Sequence, residues 1–229
     1  SAAMTPYVIC HMTASLDGRT LPSRWMPKTA NASDLYERIH EKLAGDAWLV
    51  GRVTGADFSK RGPYDAPATA PLPRENWIAA KNADQYAIII DAHGKVAWGR
   101  GDIGGDPIVV VLSRGVSDQH LAGLRADNVS YIFAGENDVD LNASLESLKR
   151  ELGIARILVE GGGNINGGFL KAGLIDEISL ILQPAIDGKP GAPTLFETGD
   201  DSAPIKKIEL LECEPQPDGL IWMRYKVEY

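Results

Sequence analysis

The chain has 229 residues, 44% hydrophobic and 24% charged, a composition that builds a buried core without disulfide or metal staples. Its formal net charge of −8 excludes a generic nucleic-acid or anionic-membrane surface, because no large positive field recruits phosphate, whereas a small phosphorylated ligand needs only a local basic pocket. No run of about 18 apolar residues and no signal-peptide pattern occurs, and Cys10 and Cys213 form no close metal-type pair, so the reading is a reduced, cytoplasmic protein with no metal centre and no membrane partner.

Ser1-Ala2-Ala3 ahead of Met4 reads as an expression-tag remnant, and residues 4–229 as one domain. Short apolar runs rich in β-branched residues alternate with amphipathic stretches, which predicts strands alternating with helices. A first strand, 7–13, leads through Asp17-Gly18 into a turn-rich loop. Ser33 or Asp34 caps a helix to about 43, with Leu35, Ile39 and Leu43 on one face and Gly45 ending it. A strand at 47–50 runs into Gly51-Arg52 and a short helical turn; 63–73, dense in proline and alanine, reads as a surface loop or lid. Near-continuous apolar runs at 86–91, 108–112 and 129–133 suit a sheet covered on both faces, with helices at 118–125 and 141–152. A strand at 157–160 enters Gly161-Gly162-Gly163-Asn164 and a helix at 165–172. Strands at 177–183, 205–212 and 220–227 then follow one another without helices. The fold class is α/β: a mixed, mostly parallel central sheet flanked by helices, with antiparallel C-terminal strands.

Leu158-Val159-Glu160-Gly161-Gly162-Gly163-Asn164 carries the strongest chemical signal. Glycines at a strand end let the backbone approach a ligand, and the following helix N-terminus presents free N–H groups and about half a positive charge to a diphosphate. The alternative is a glycine-rich turn that only joins strand to helix; the spacing matches neither G-x-G-x-x-G nor a Walker sequence. Glu160, a carboxylate at a strand's carboxyl end, either pairs with a ligand donor or serves as a helix-end or salt-bridge partner. Ser15 in Ala14-Ser15-Leu16-Asp17-Gly18-Arg19 either donates to a ligand or closes a turn. Gly51-Arg52-Val53-Thr54 offers a second place for backbone N–H groups to meet phosphate, with Asp57, Lys60 and Arg61 close behind or forming a solvated polar face. Ser113-Arg114 after a strand is a place for a cation toward a 2′-phosphate, with Arg52 the competing candidate and a plain surface charge the alternative.

In order, Ser15-Leu16-Asp17-Gly18, Asp46-Ala47-Trp48-Leu49-Val50-Gly51-Arg52, the strand ending in Asp91, Val159-Glu160-Gly161-Gly162-Gly163 and Leu174-Ile175-Asp176-Glu177 before Gln183-Pro184 span nearly the whole chain. The set resembles the reductase domain of the riboflavin-biosynthesis deaminase-reductase, a family with the dihydrofolate-reductase-like fold. The resemblance implies NADPH along the sheet's carboxyl edge and hydride reduction of 5-amino-6-(5-phosphoribosylamino)uracil, or its 2,5-diamino-pyrimidinone analogue, to the ribitylamino product. It implies that Gly162 to Gly168 hold the cofactor diphosphate, that Thr54 and Asp57 fall on the cofactor side, that Ser15, Lys42, Arg61 and Glu160 contact the substrate, and a homodimer; taken with the residues above, the cofactor candidates are Gly51, Arg52, Thr54, Ser113, Arg114, Gly161, Gly162, Gly163, Asn164 and Ile165, and the candidate catalytic carboxylates Glu160 and Asp57. His11, Ala92 and the 54–58 segment depart from the family pattern. With no His-x-Glu and Pro-Cys-x-x-Cys zinc signature, the expectation is a stand-alone reductase. A same-fold reductase of another small heterocycle and a non-catalytic NADPH-binding module are the alternatives.

Overall fold

The structure, a computed structural model, describes residues 4–25, 30–59, 62–65, 67 and 70–229. In chain order its strands and helices are β1 (Tyr7–Ala14), α1 (Ala30–Leu43), β2 (Ala47–Gly51), α2 (Arg52–Ala56), β3 (Tyr86–Ile90), β4 (Asp102–Ile103), β5 (Asp106–Leu112), α3 (Asp118–Ala126), β6 (Ser130–Phe133), α4 (Leu141–Leu152), β7 (Arg156–Val159), α5 (Gly163–Lys171), β8 (Glu177–Leu182), β9 (Lys207–Pro215) and β10 (Ile221–Glu228). They fall into two compact units, each discontinuous in sequence: one holds the residues up to Pro6 and Asp46–Ile157, the other Tyr7–Gly45 and Leu158–Tyr229. The chain crosses from the first to the second within β7.

In the first unit β2, β3, β5 and β6 pair in parallel, in the order β2-β3-β5-β6. Every side chain of β2 and β3 is buried, as apolar runs covered on both faces require. β4 turns back on β5 through Gly104 and Gly105, both at positive φ (58° and 94°), the backbone a tight hairpin demands. The Ser117 and Asp140 side chains cap α3 and α4 by accepting from the His120 and Ala143 N–H groups, and Gly153 ends α4 in the left-handed region.

In the second unit β1 and β8 are parallel, and β8, β10 and β9 form an antiparallel succession. Leu35, Ile39 and Leu43 are buried on α1, as their four-residue spacing predicts. That helix starts at Ala30, before the expected Ser33 or Asp34 cap, because Ala30 and Ala32 are themselves strong helix formers. β9 begins later than expected, at Lys207, because it faces Glu228, the last residue of its antiparallel partner β10, and it extends to Pro215. Among the described residues no helix is long and apolar enough to cross a membrane.

Two glycines of α5 are dictated by packing. A Cβ on Gly163 would stand 2.2 Å from the Thr194 carbonyl oxygen, and one on Gly167 2.1 Å from that of Glu197, while the Glu197 N–H donates to the Gly163 carbonyl at 3.0 Å. Gly163→Ala is expected to destabilise the protein by about 3 kcal/mol and lower Tm by roughly 5–10 °C, because backbone must move. A thermal scan within about 2 °C of the parent would disprove this close approach.

Candidate active site

Glu160 follows β7 directly, and α1 presents Tyr36 and His40 to it from one face, four residues apart. Its side chain is 9% exposed, and its Oε2 accepts from the Tyr36 hydroxyl at 2.8 Å and lies 2.9 Å from His40 Nδ1. A carboxylate oxygen only accepts, so His40 carries hydrogen on Nδ1 in either charge state. Oε2 takes both contacts, which leaves Oε1 for a ligand.

The Tyr36 hydroxyl also lies 3.0 Å from the His11 carbonyl oxygen. One phenol proton facing two acceptors makes a short relay: when Glu160 is ionised the proton points to it, and when Glu160 is protonated the carboxyl donates to Tyr36, which turns its own proton to His11. Burial first, and then the Glu160 charge, push the Tyr36 phenol well above its usual pKa, so it stays protonated. Tyr36 is held by His11, whose ring stacks on it with centroids 4.0 Å apart. His11 Nε2 donates to the Tyr36 carbonyl oxygen at 3.1 Å, and Nδ1 is 3.1 Å from Ser179 Oγ, which accepts from Trp222 Nε1 at 2.9 Å. Burial lowers the His11 pKa, in keeping with this neutral ring.

In the first unit burial likewise lowers the pKa of His120, which lies 3.9 Å from Asp91. A histidine whose folded pKa lies below its unfolded value of about 6.5 contributes stability that is complete above that value. It is lost as pH falls toward the folded pKa, because the unfolded chain binds the proton first. The urea midpoint should therefore fall between pH 7 and pH 5, with a shallower slope in His120→Gln; a flat profile over that interval would contradict two buried neutral histidines.

A cavity of about 480 Å³ opens beside Glu160, walled by Met12, Thr13 and Gln183 from the strands, Thr20, Ser23 and Trp25 from the loop after β1, and Ala32, Ser33 and Tyr36 from α1. Two of the residues that line it hold a buried polar atom with no hydrogen-bond partner among the described residues, the Trp25 Nε1 donor and the Gln183 Oε1 acceptor, and an unpaired buried polar atom costs free energy. At the adjoining strand end Gly161 takes a φ of +112° that only glycine adopts readily, and the Gly161–Gly162 peptide is cis. Gly162 precedes α5 with no side chain capping the first N–H groups, those of Gly163, Asn164 and Ile165.

Other sequence candidates stand elsewhere. Ser15 is buried, donating to Asp17 Oδ1 at 2.6 Å and accepting from the Arg19 N–H at 3.0 Å, so its hydroxyl shapes the loop and does not line the cavity. Lys42 is exposed, its ammonium 4.9 Å from the Trp222 ring centroid, and is not a cavity residue. Arg61 lies outside the described residues, as do Lys60 and parts of the 63–73 loop. Gly51, Arg52, Thr54 and Asp57 belong to the first unit: Gly51 is buried at the end of β2, Arg52 and Thr54 are on α2, and Asp57 is the exposed C-cap that follows α2. In that unit Ser113 donates to the Ala92 carbonyl oxygen at 2.7 Å, and Arg114 is exposed, 3.5 Å from Glu136 and 3.3 Å from the Arg74 carbonyl oxygen.

Tyr36, His40 and Trp25 escaped the sequence reading, and Gln183 entered it only as part of Gln183-Pro184, with no role at a site. Tyr36 and His40 do carry a signal: they follow Leu35 and Ile39 by one position, a second stripe beside the apolar one. Trp25 carries none.

The sequence profile of the RibD C-terminal domain family matches residues 6–222. The 2,5-diamino-6-ribosylamino-4(3H)-pyrimidinone 5′-phosphate reductase of Methanothermobacter thermautotrophicus is 28% identical over 225 residues, covering 95% of this chain and 97% of that protein. The enzyme of the same name from Archaeoglobus fulgidus is also 28% identical, covering 94% and 96%. Among solved structures, a pyrimidine reductase-like protein from Corynebacterium diphtheriae superposes with a TM-score of 0.68 at 20% identity, covering 98% of this chain and 92% of its own. With a family match over almost its full length, a mixed α/β fold shared with a solved relative and a strand-end carboxylate at a polar cavity, this chain belongs to the RibD C-terminal domain family.

Proposed function

We propose that the chain is an NADPH-dependent reductase of a 5′-phosphorylated ribosylaminopyrimidine, the 2,5-diamino-pyrimidinone or the aminouracil, yielding the ribitylamino product. The observation that carries this is the cavity beside Glu160, whose Oε2 is held by Tyr36 and His40 while its lining residues Trp25 and Gln183 each hold an unpaired buried polar atom. A pyrimidine with ring carbonyls and exocyclic amines supplies both acceptors and donors. The two archaeal relatives named for that activity match over nearly their whole length.

Gly161, Gly162 and the N–H groups of Gly163, Asn164 and Ile165 fit a cofactor diphosphate, because the strand end lacks side chains and the helix end lacks a cap. A bound dihydronicotinamide supplies the hydride. The chain's own residues do the rest. Trp25 Nε1 and Gln183 Oε1 fix the base, Glu160 Oε1 binds the polar edge of the substrate, and His40 and Tyr36 hold Glu160 at Oε2. The reduction consumes one proton, and Glu160, in contact with His40 and Tyr36, is the group that holds or passes it. The single domain of 4–229, the cytoplasmic setting and a homodimer complete the reading.

Absorbance at 340 nm tests the function: NADPH oxidation on adding the pyrimidine phosphate is expected, and tight NADPH binding without oxidation would leave the non-catalytic reading. Gln183→Leu should raise KM about tenfold with kcat within about threefold, the cost of an unpaired substrate donor. An unchanged KM would remove Gln183 from base recognition.

A further inference from the structure

The loop that follows β1 brings Ser23 and Trp25 to the cavity wall, and Arg24 stands between them. Arg24 ends one helical turn, Pro22–Arg24, which the Trp25 N–H closes by donating to the Pro22 carbonyl oxygen at 3.1 Å, so whatever fixes Arg24 also fixes Trp25. Arg24 Nε reaches both carboxylate oxygens of Asp187, at 2.9 and 3.0 Å. The Asp187 side chain is 0% exposed and that of Arg24 40%. A carboxylate withdrawn from water depends on a charged donor, so this contact weighs more than a solvent-exposed pair of the same length.

Asp17 completes the arrangement from the other side, its carboxylate accepting from the Asp187 and Gly188 N–H groups at 3.1 and 2.8 Å. The two segments therefore grip each other by a carboxylate apiece. The segment 184–197 is seated on α5: the Leu195 carbonyl oxygen accepts from Asn166 Nδ2 at 2.9 Å, and Gly163 and Gly167 let its backbone lie against the helix. The loop after β1 takes its place from that seated segment, Leu16 N–H donating to the Ala185 carbonyl oxygen at 2.8 Å and Thr20 N–H to that of Pro193 at 3.1 Å. Among the described residues, the hydrogen bonds that join the two segments beyond Thr20 are those of Arg24 with Asp187.

We propose that Arg24 and Asp187 are positioning residues for the substrate, holding the Ser23 and Trp25 wall of the cavity in place before the pyrimidine arrives. Its kinetic consequence rests on the reductase reading; the positioning itself does not. Ordering a loop costs conformational entropy, and a protein that orders it beforehand presents a finished wall. Where the wall is in place only part of the time, apparent affinity falls by that fraction, while the complex once formed is the same. KM carries the effect and kcat does not.

Asp187→Asn and Arg24→Met should each raise KM for the pyrimidine phosphate about fivefold with kcat within about twofold. Asparagine keeps the carboxylate's shape and an oxygen for the Lys189 N–H, now 3.1 Å from Asp187, so the charge goes and the turn stays. The two substitutions together should again give about fivefold, not about 25-fold, because both act through one contact. Arg24→Lys keeps the cation and should stay within about twofold of the parent. Additive effects, or an Arg24→Met effect with Asp187→Asn silent, would make Arg24 a substrate contact in its own right and overturn the pair. A readout free of turnover uses protein carrying 5-fluorotryptophan at its five indoles. The fluorine signal that Trp25→Phe removes should shift or broaden in Asp187→Asn and in Arg24→Met, while those of Trp48, Trp77 and Trp98 stay; an unmoved Trp25 signal in both overturns the proposal. A moved signal in a protein that never oxidises NADPH sinks only the reductase, and turnover with an unmoved signal sinks only the positioning.

Discussion

Glu160→Gln is expected to lower kcat by about 10² to 10³ while leaving the Kd for NADPH within about twofold. The amide keeps the shape of the carboxylate and can still accept from Tyr36, so the α1 contact survives. It can neither hold nor pass a proton, and the His40 Nδ1–H loses its charged acceptor, now 2.9 Å away. Steady-state absorbance at 340 nm gives kcat, and quenching of protein fluorescence gives the Kd. A parallel loss of NADPH affinity would put Glu160 on the cofactor's side of the chemistry and end the assignment.

Gly162→Val should raise the Kd for NADPH about 100-fold or more while the fold persists. Gly162 has φ −76° and ψ −167°, extended backbone that any residue adopts, so the substitution tests ligand approach without demanding a left-handed valine. A branched side chain ahead of the uncapped N–H groups of α5 would keep a diphosphate from reaching them. Gly161 at φ +112° and Gly163 against Thr194 are poorer test positions, because there strain or collision would mix with ligand loss. NADPH titration of a variant with parental circular dichroism decides the matter: an unchanged Kd would return the glycines to the role of a plain turn.

The contrast among these glycines marks the limit of what was legible. Three in a row after a strand are visible in the sequence, and the ligand reading covered all of them equally. Packing divides their work, for the missing side chain of Gly163 makes room for the Thr194 carbonyl, about thirty residues later in the chain. Ser15 and Lys42 show the same limit. A serine and an aspartate two apart in a turn satisfy each other here, and a lysine at the end of α1 rests on an indole from β10.

Local chemistry determined a good deal by itself. Continuous β-branched runs become strands buried on both faces, the Leu35, Ile39 and Leu43 stripe becomes the buried side of α1, and Glu160 emerges at a strand end before an uncapped helix. Each follows from backbone sterics and period, which act over a few residues. Tertiary structure alone decided that Tyr36 and His40 share one carboxylate oxygen, that Trp25 and Gln183, each with an unpaired buried polar atom, line one cavity, and that one face of β8, β10 and β9 carries no charge. Those facts depend on strand register and on which segments, often more than a hundred residues apart, pack together; local periodicity sets a side chain's direction along its own element but not what it will face.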